Sequence, residues 1–198
     1  MWQRRRPWQA ESYWALDLET SGLDARRDAI LSVGMVPIRD GLIRYGERWY
    51  SLVRPPASES LSQEGLGAHH ILPSELASAP LEADVLAEID RRLTGTVLIV
   101  HFGRIDLGFL EAAYRRCGLT WPKPPTVDTV DLLYRLARER QRFHPHPQAP
   151  RTGLSEARTE LGLPQYTNHH ALWDALATAE LFLALRARLG AKTLRGLR

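Results

Sequence analysis

The sequence predicts an α/β domain, a mixed sheet with helices on its faces, and three observations carry that expectation. Three strand-like runs come first, short apolar runs then alternate with segments of helical period, and no internal repeat competes with that order. A length of 198 residues suits one such domain, and 44% hydrophobic with 25% charged residues is a globular balance.

Each element has a local cause. After an Arg-rich start, "YWALDLET" reads as a strand from its aromatic and aliphatic content, and "SGLD" ends it in a glycine turn. "AILSVGMVPI" and "LIRYGERWYSLV" follow as two more strands, and the Asp-Gly between them is a hairpin signal. "RPPASESLSQEGLGAHHILPSELASAP" is rich in Pro, Ser and Gly and should cross the surface with one or two short helical turns. "LEADVLAEIDRRLTG" has helical period and a glycine stop, and "TVLIVHF" is apolar enough for a strand buried on both faces. "DLGFLEAAYRRCG" is helical, a short strand near "TVD" leads into the helix "DLLYRLARERQ", and "FHPHPQAP" is a loop. "LSEARTELG" and "ALWDALATAELFLALRARLG" are two further amphipathic helices.

Composition limits the partners. The net charge of +3 and the Arg-heavy basic set lean toward a polyanion. Cys117, the single cysteine, excludes an intrachain disulfide and any Cys-rich zinc site, and fits a reducing compartment. The start "MWQRRRPWQ" is basic, but the next apolar run is broken at Asp17 and Glu19, so no signal-peptide core forms. No segment approaches the length of a membrane span, and a cytoplasmic protein is expected.

Three clusters bear chemistry. Asp17 and Glu19 stand two apart on a strand and therefore share a face. Either that strand is a solvated edge, or the two carboxylates meet a cation, and an all-oxygen site selects Mg²⁺ or Mn²⁺ over zinc. Asp106, in "VHFGRID", follows an apolar strand and opens the next helix, a place for a ligand group or simply for an N-cap. His169 precedes Asp174 by five residues at the start of the last helix. That spacing does not make a facing pair on a continuous helix, so His169 stands on the preceding loop, as a base leaning over the site or as a surface histidine. Asp174 in a first helical turn is also favoured by the helix dipole alone.

Together "DLET", "HFGRID" and "HHALWD" resemble, in order and spacing, the three motifs of the DEDDh, or DnaQ-like, 3′–5′ exonucleases, and "AHHILPSEL" resembles their His-x-Ile segment. The resemblance spans nearly the whole chain. It implies a ribonuclease H-like fold with a five-stranded mixed sheet flanked by helices. It implies that Asp17, Glu19, Asp106 and Asp174 hold two divalent cations, Mg²⁺ or Mn²⁺, and that His169 is the general base of His-x-Ala-x-x-Asp, with His170 at a variable position. Thr20, Gly22 and Leu23 would then receive the terminal nucleotide, and His69 and Ile71 would touch its sugar or base. Phe102 stands where many members have Asn; it either stacks on a base or packs in the core, and packing is the plainer reading. Arg104 either meets a phosphate or is an exposed helix-start residue.

The expected activity is a two-metal 3′–5′ exonuclease that releases nucleoside 5′-monophosphates from single-stranded DNA ends, in repair or replication. "DLETSGLD" resembles the proofreading-type members more than the oligoribonucleases. The alternatives are an RNA or oligoribonucleotide trimmer, and a module whose main role is docking to a polymerase or repair partner. The chain would act as a monomer, or as a homodimer in which one copy's basic arm serves the other's site. The expected boundaries are a basic arm over 1–11, the exonuclease domain over 12–190 and a short basic tail over 191–198. Arg4, Arg5 and Arg6, with Arg138, Arg140 and Arg142, either line a nucleic-acid track or are solvated, and His144 and His146 receive no role.

Overall fold

The computed structural model describes residues 6–56, 71–142, 148–166 and 169–197. Six strands form one sheet: β1 (Tyr13–Thr20), β2 (Ile30–Arg39), β3 (Leu42–Ile43), β4 (Trp49–Leu52), β5 (Val97–Val100) and β6 (Thr126–Asp128). The order is β3-β2-β1-β5-β6, with β4 also on β2. β5 runs parallel to β1 and β6 parallel to β5, while β2 is antiparallel to its three neighbours. Among the described residues, six α-helices accompany the sheet: α1 (Pro73–Ser78), α2 (Glu82–Leu93), α3 (Gly103–Arg116), α4 (Thr129–Arg140), α5 (Leu154–Glu160) and α6 (Ala171–Arg188).

The sheet has six strands instead of the expected five because the run "LIRYGERWYSLV" is broken. β3 and β4 lie along the same side of β2 and are separated by a 3₁₀ turn at Tyr45–Glu47. The cause lies in β2: Pro37 accepts from the Arg44 N–H at 2.9 Å on that side but has no N–H to return. A proline is tolerated where the ladder is interrupted in this way. The Asp-Gly hairpin forms as its residues dictate, Asp40 and Gly41 both taking positive φ, 54° and 75°, between the paired Arg39 and Leu42.

β1 carries two faces. Trp14, Leu16 and Leu18 enter a core with Phe109, Leu110 and Tyr114 of α3 and Val85, Leu86 and Ile89 of α2. Tyr13 and Ala15 enter the opposite core, with Phe182 and Leu185 of α6 and Leu132 and Leu136 of α4. On that second face the β1–β2 pairs read Tyr13 with Ile38, Ala15 with Val36, Asp17 with Gly34 and Glu19 with Ser32. The row therefore passes from apolar to polar and small as it leaves the core, and its polar end is where the carboxylates stand.

Residues 6–11 and 191–197, parts of the expected arm and tail, pack on the domain. Trp8 is buried against Tyr13 and Phe182, its N–H donates to the Lys192 carbonyl at 3.1 Å, and Pro7 bridges Thr193. Ala191 and Leu197 are buried in the same core. An indole and a leucine remove too much apolar area from water for these ends to stay solvated. Arg4, Arg5, His69, His144 and His146 lie outside the described residues. Among the described residues, no helix is long and apolar enough to cross a membrane.

Candidate active site

Asp17, Glu19 and Asp174 converge, each offering a carboxylate oxygen within 4.8 Å of the others. Strand periodicity puts the first two on the face that α6 covers, and Asp174 is in the first turn of α6. The approach depends on Gly34, which is opposite Asp17 on β2: a Cβ there would lie 2.2 Å from the carbonyl carbon and oxygen of Ala171. A glycine inside a strand is a signal of such close approach, and its absence of a side chain lets the start of α6 rest on the sheet. The β1–β2 register shifts just past the carboxylates, from Glu19 opposite Ser32 to Thr20 opposite Ile30, so the extra residue lies on β2.

Asp106 stands beside this trio and is not one of the three. It comes from α3 on the other layer, its side chain is buried, and its charge reaches Asp17 and Glu19. β5 pairs with β1 only as far as Ala15, so beyond it β1 is paired by β2 alone, and α3, which follows β5, brings Asp106 to that end of the sheet.

The four carboxyl groups disfavour one another's ionisation. Burial first, then the charges of Asp106, Asp174 and Glu19, hold Asp17 well above the usual range. Burial and the charges of Asp174 and Asp106 push Glu19 up to about 8. Burial pushes Asp106 up to about 7. Asp174 is raised by burial as well, with the N–H groups of His169 and His170 opposing the shift. A set of oxygen donors with mutually repelling charges, Glu19 and Asp106 buried and Asp17 and Asp174 half-buried, fits hard divalent cations such as Mg²⁺ or Mn²⁺.

His169 is exposed and left-handed, with φ 67°, and its backbone N–H donates to Asp174 Oδ2 at 3.0 Å. His170 is not merely a spacer. Its Nδ1 accepts from the Leu172 N–H at 3.2 Å as the N-cap of α6, and its ring stacks on Tyr50 at 4.8 Å. Tyr50 is opposite Gly34 on β4, which completes a row Asp17, Gly34, Tyr50 across three strands. The sequence offered no signal for Tyr50, which depends on cross-strand register, whereas Gly34, a glycine inside a strand-like run, was a signal of close approach that the sequence reading did not use.

The remaining expected residues divide. Leu23 is 85% exposed on the loop after β1, and Thr20 Oγ1 donates to the Gly22 carbonyl at 2.6 Å. A Cβ at Gly22 would meet the Asp28 carboxylate, the movable end of a side chain, and no backbone. Ile71 is buried with Ala29, Leu31 and Leu76. Phe102 is not packed in the core, as the plainer reading had it, but 43% exposed, because its left-handed φ of 57° at the N-cap of α3 turns it outward. Arg104 is exposed. His101, to which no role was given, is a tie: Nδ1 lies 2.7 Å from Thr129 Oγ1 and Nε2 lies 2.8 Å from the Thr152 carbonyl.

A parallel and antiparallel sheet with helices on both faces and a carboxylate cluster at the strand ends defines the class of ribonuclease H-like exonuclease domains. The family model described as RNase_T, exonuclease, matches residues 14–182, and the chain belongs to that family. It is 30% identical over 173 residues to the PolC-type DNA polymerase III of Thermotoga petrophila, covering 87% of this chain and 12% of that protein. Its fold is that of Exonuclease I of E. coli, solved with a dT13 oligonucleotide (TM-score 0.78, 17% identity, 91% of this chain and 42% of that one). It is likewise that of the cell-death related nuclease CRN-4 (TM-score 0.76, 16% identity, 94% of this chain and 66% of that one). The chain thus spans a small part of the polymerase and less than half of Exonuclease I.

Proposed function

We propose that this chain is a divalent-metal-dependent 3′–5′ exonuclease that removes nucleoside 5′-monophosphates from single-stranded DNA ends. The observation that carries the reading is the convergence of Asp17, Glu19 and Asp174, with Asp106 at its border and His169 tied by its N–H to Asp174. Asp17, Glu19, Asp106 and Asp174 would hold two cations, which supply charge neutralisation at the phosphoryl group and activation of water. His169, exposed on its loop, takes the proton from the attacking water. Leu23 and Phe102, both exposed, offer apolar contact to the terminal nucleotide.

DNA is favoured over RNA because "DLETSGLD" has the proofreading-type pattern and because Exonuclease I, a neighbour in fold, was solved with a DNA oligonucleotide. The polymerase relative favours a second reading, a proofreading domain docked to a polymerase or repair partner. The deciding experiment is a time course on 5′-labelled single-stranded DNA and matched RNA with Mg²⁺, Mn²⁺ or EDTA, beside Asp17→Ala. A metal-dependent ladder shortening from the 3′ end, absent in the variant, supports the enzyme and reports the preferred sugar. A folded protein that shortens neither strand supports docking instead.

A further inference from the structure

Arg158 of α5 is 1% exposed, an unusual place for a guanidinium, and every polar group it reaches belongs to α6 or to the segment that leads to His169. Nη1 donates to the Ala177 carbonyl at 2.7 Å. Nε and Nη2 donate to the Pro164 carbonyl at 3.1 and 2.6 Å, and Nη2 also donates to Glu180 Oε2 at 2.7 Å. The Tyr166 hydroxyl donates to Glu180 Oε1 at 2.9 Å, and the guanidinium lies 4.7 Å from the Tyr166 ring centroid. The Tyr166 ring stacks with Trp173 at 5.8 Å, and Trp173 stacks with Tyr45 at 6.2 Å, over which Arg48 lies at 4.4 Å. Each ring in this row already has a ring or guanidinium against it, so the row is a brace and not a platform for a base.

Trp173, Ala177 and Glu180 are spaced by four and three and form one stripe of α6. Arg158 and Tyr166 fasten Pro164–Tyr166 along that stripe, and His169 follows Tyr166 by three positions. His169 is thus placed between two attachments, Tyr166 before it and its own N–H on Asp174 after it. Its φ of 67° is a conformation that a residue other than glycine keeps only when its surroundings impose it.

We propose that Arg158, Tyr166, Trp173 and Glu180 are positioning residues that hold His169 in its catalytic conformation. The proposal rests on His169 being the base of the reaction described above. Removing the Tyr166 ring releases Pro164–Tyr166 from α6 while leaving Asp17, Glu19 and Asp174 in place, so it lowers turnover without weakening metal or substrate binding.

The test is a double-mutant cycle between Tyr166→Ala and His169→Ala on labelled single-stranded DNA, with Mn²⁺ affinity measured by calorimetry. Tyr166→Ala should lower kcat about 10- to 100-fold, the cost usual for supporting contacts, with KM and Mn²⁺ affinity within about twofold. Tyr166→Phe, which keeps the ring, should recover most of the rate. In the His169→Ala background, Tyr166→Ala should cost nothing further, because both changes remove the same function. An additive loss, a matching loss of Mn²⁺ affinity, or an unchanged kcat in a folded Tyr166→Ala protein would overturn the proposal. Hydrogen exchange at the His169 amide is read in parallel. Should the wild-type protein shorten no strand, the function reading fails, and the brace stands or falls on whether Tyr166→Ala accelerates that exchange at least about tenfold.

Discussion

The backbone N–H of His169 donates to Oδ2 of Asp174 at 3.0 Å, so one carboxylate serves both the acidic cluster and the loop that carries His169. Asp174→Ala removes both contributions. Turnover should fall by at least the 10²- to 10⁴-fold associated with losing a positioned acid–base group. Stability without metal should hold or rise, because one of several mutually repelling buried charges is gone. Activity assays and thermal melts in EDTA check this, and loss of cooperative unfolding would make Asp174 structural.

Stability of the metal-free protein should fall as pH rises. Glu19 and Asp106 ionise at about 8 and about 7 in the fold, against ordinary values of 4.5 and 3.8. Over that interval the folded chain binds more protons than the unfolded one, so the stability they contribute is complete below the ordinary values and is lost as pH climbs through 7 and 8. The limiting slope is about 1.4 kcal/mol per pH unit for each linked proton. His101 works the other way: burial holds it below 6.5, so its share is kept above 6.5 and lost on acidification. Urea midpoints in EDTA between about pH 6.5 and 8.5 isolate the carboxylates, and Mg²⁺ should flatten the profile by competing with protons. A midpoint that rises across this range contradicts the buried cluster.

Much of this site could be read from residue order because its carboxylates lie in local patterns. Asp17 and Glu19 share a strand face by periodicity, the Asp40-Gly41 turn is specified by its own residues, and Asp106 and Asp174 open helices. What could not be read depends on distant partners. Arg158 reads as solvated until Pro164, Ala177 and Glu180 surround it. Pro37 interrupts the edge only in the register that β2 adopts, and Phe102 faces outward only because its backbone is left-handed. Tyr45 and Trp173 meet across the sheet from opposite ends of the chain.

Gly41→Ala should destabilise the protein without touching turnover. Gly41 has φ 75°, and a Cβ there would lie 2.9 Å from the Trp8 ring, far along the hairpin from the carboxylates. The conformational penalty and the contact together should cost about 1 kcal/mol or more. A lower urea midpoint with unchanged specific activity is the expected result; a large loss of rate would tie the hairpin to the site.

Gly34→Ala should damage both properties, and the contrast with Gly41 tests why the site forms. Gly34 does not take a positive φ, so the constraint is space alone. The added methyl would meet the Ala171 carbonyl at 2.2 Å and the Leu172 nitrogen at 2.4 Å, all of it backbone that cannot rotate away. The start of α6 must therefore lift from the sheet, carrying the His170 cap, Asp174 and the His169 amide with it. Overpacking of this kind costs about 1–3 kcal/mol, and a displacement near 1 Å at reacting groups costs about 10²-fold in rate. The measurement is kcat with saturating Mn²⁺, beside the urea midpoint and the Mn²⁺ affinity of the same variant. Loss of rate with weakened Mn²⁺ binding follows if Gly34 sets the distance from Asp174 to Asp17; a folded variant with full rate and affinity would show that α6 reaches the cluster without it.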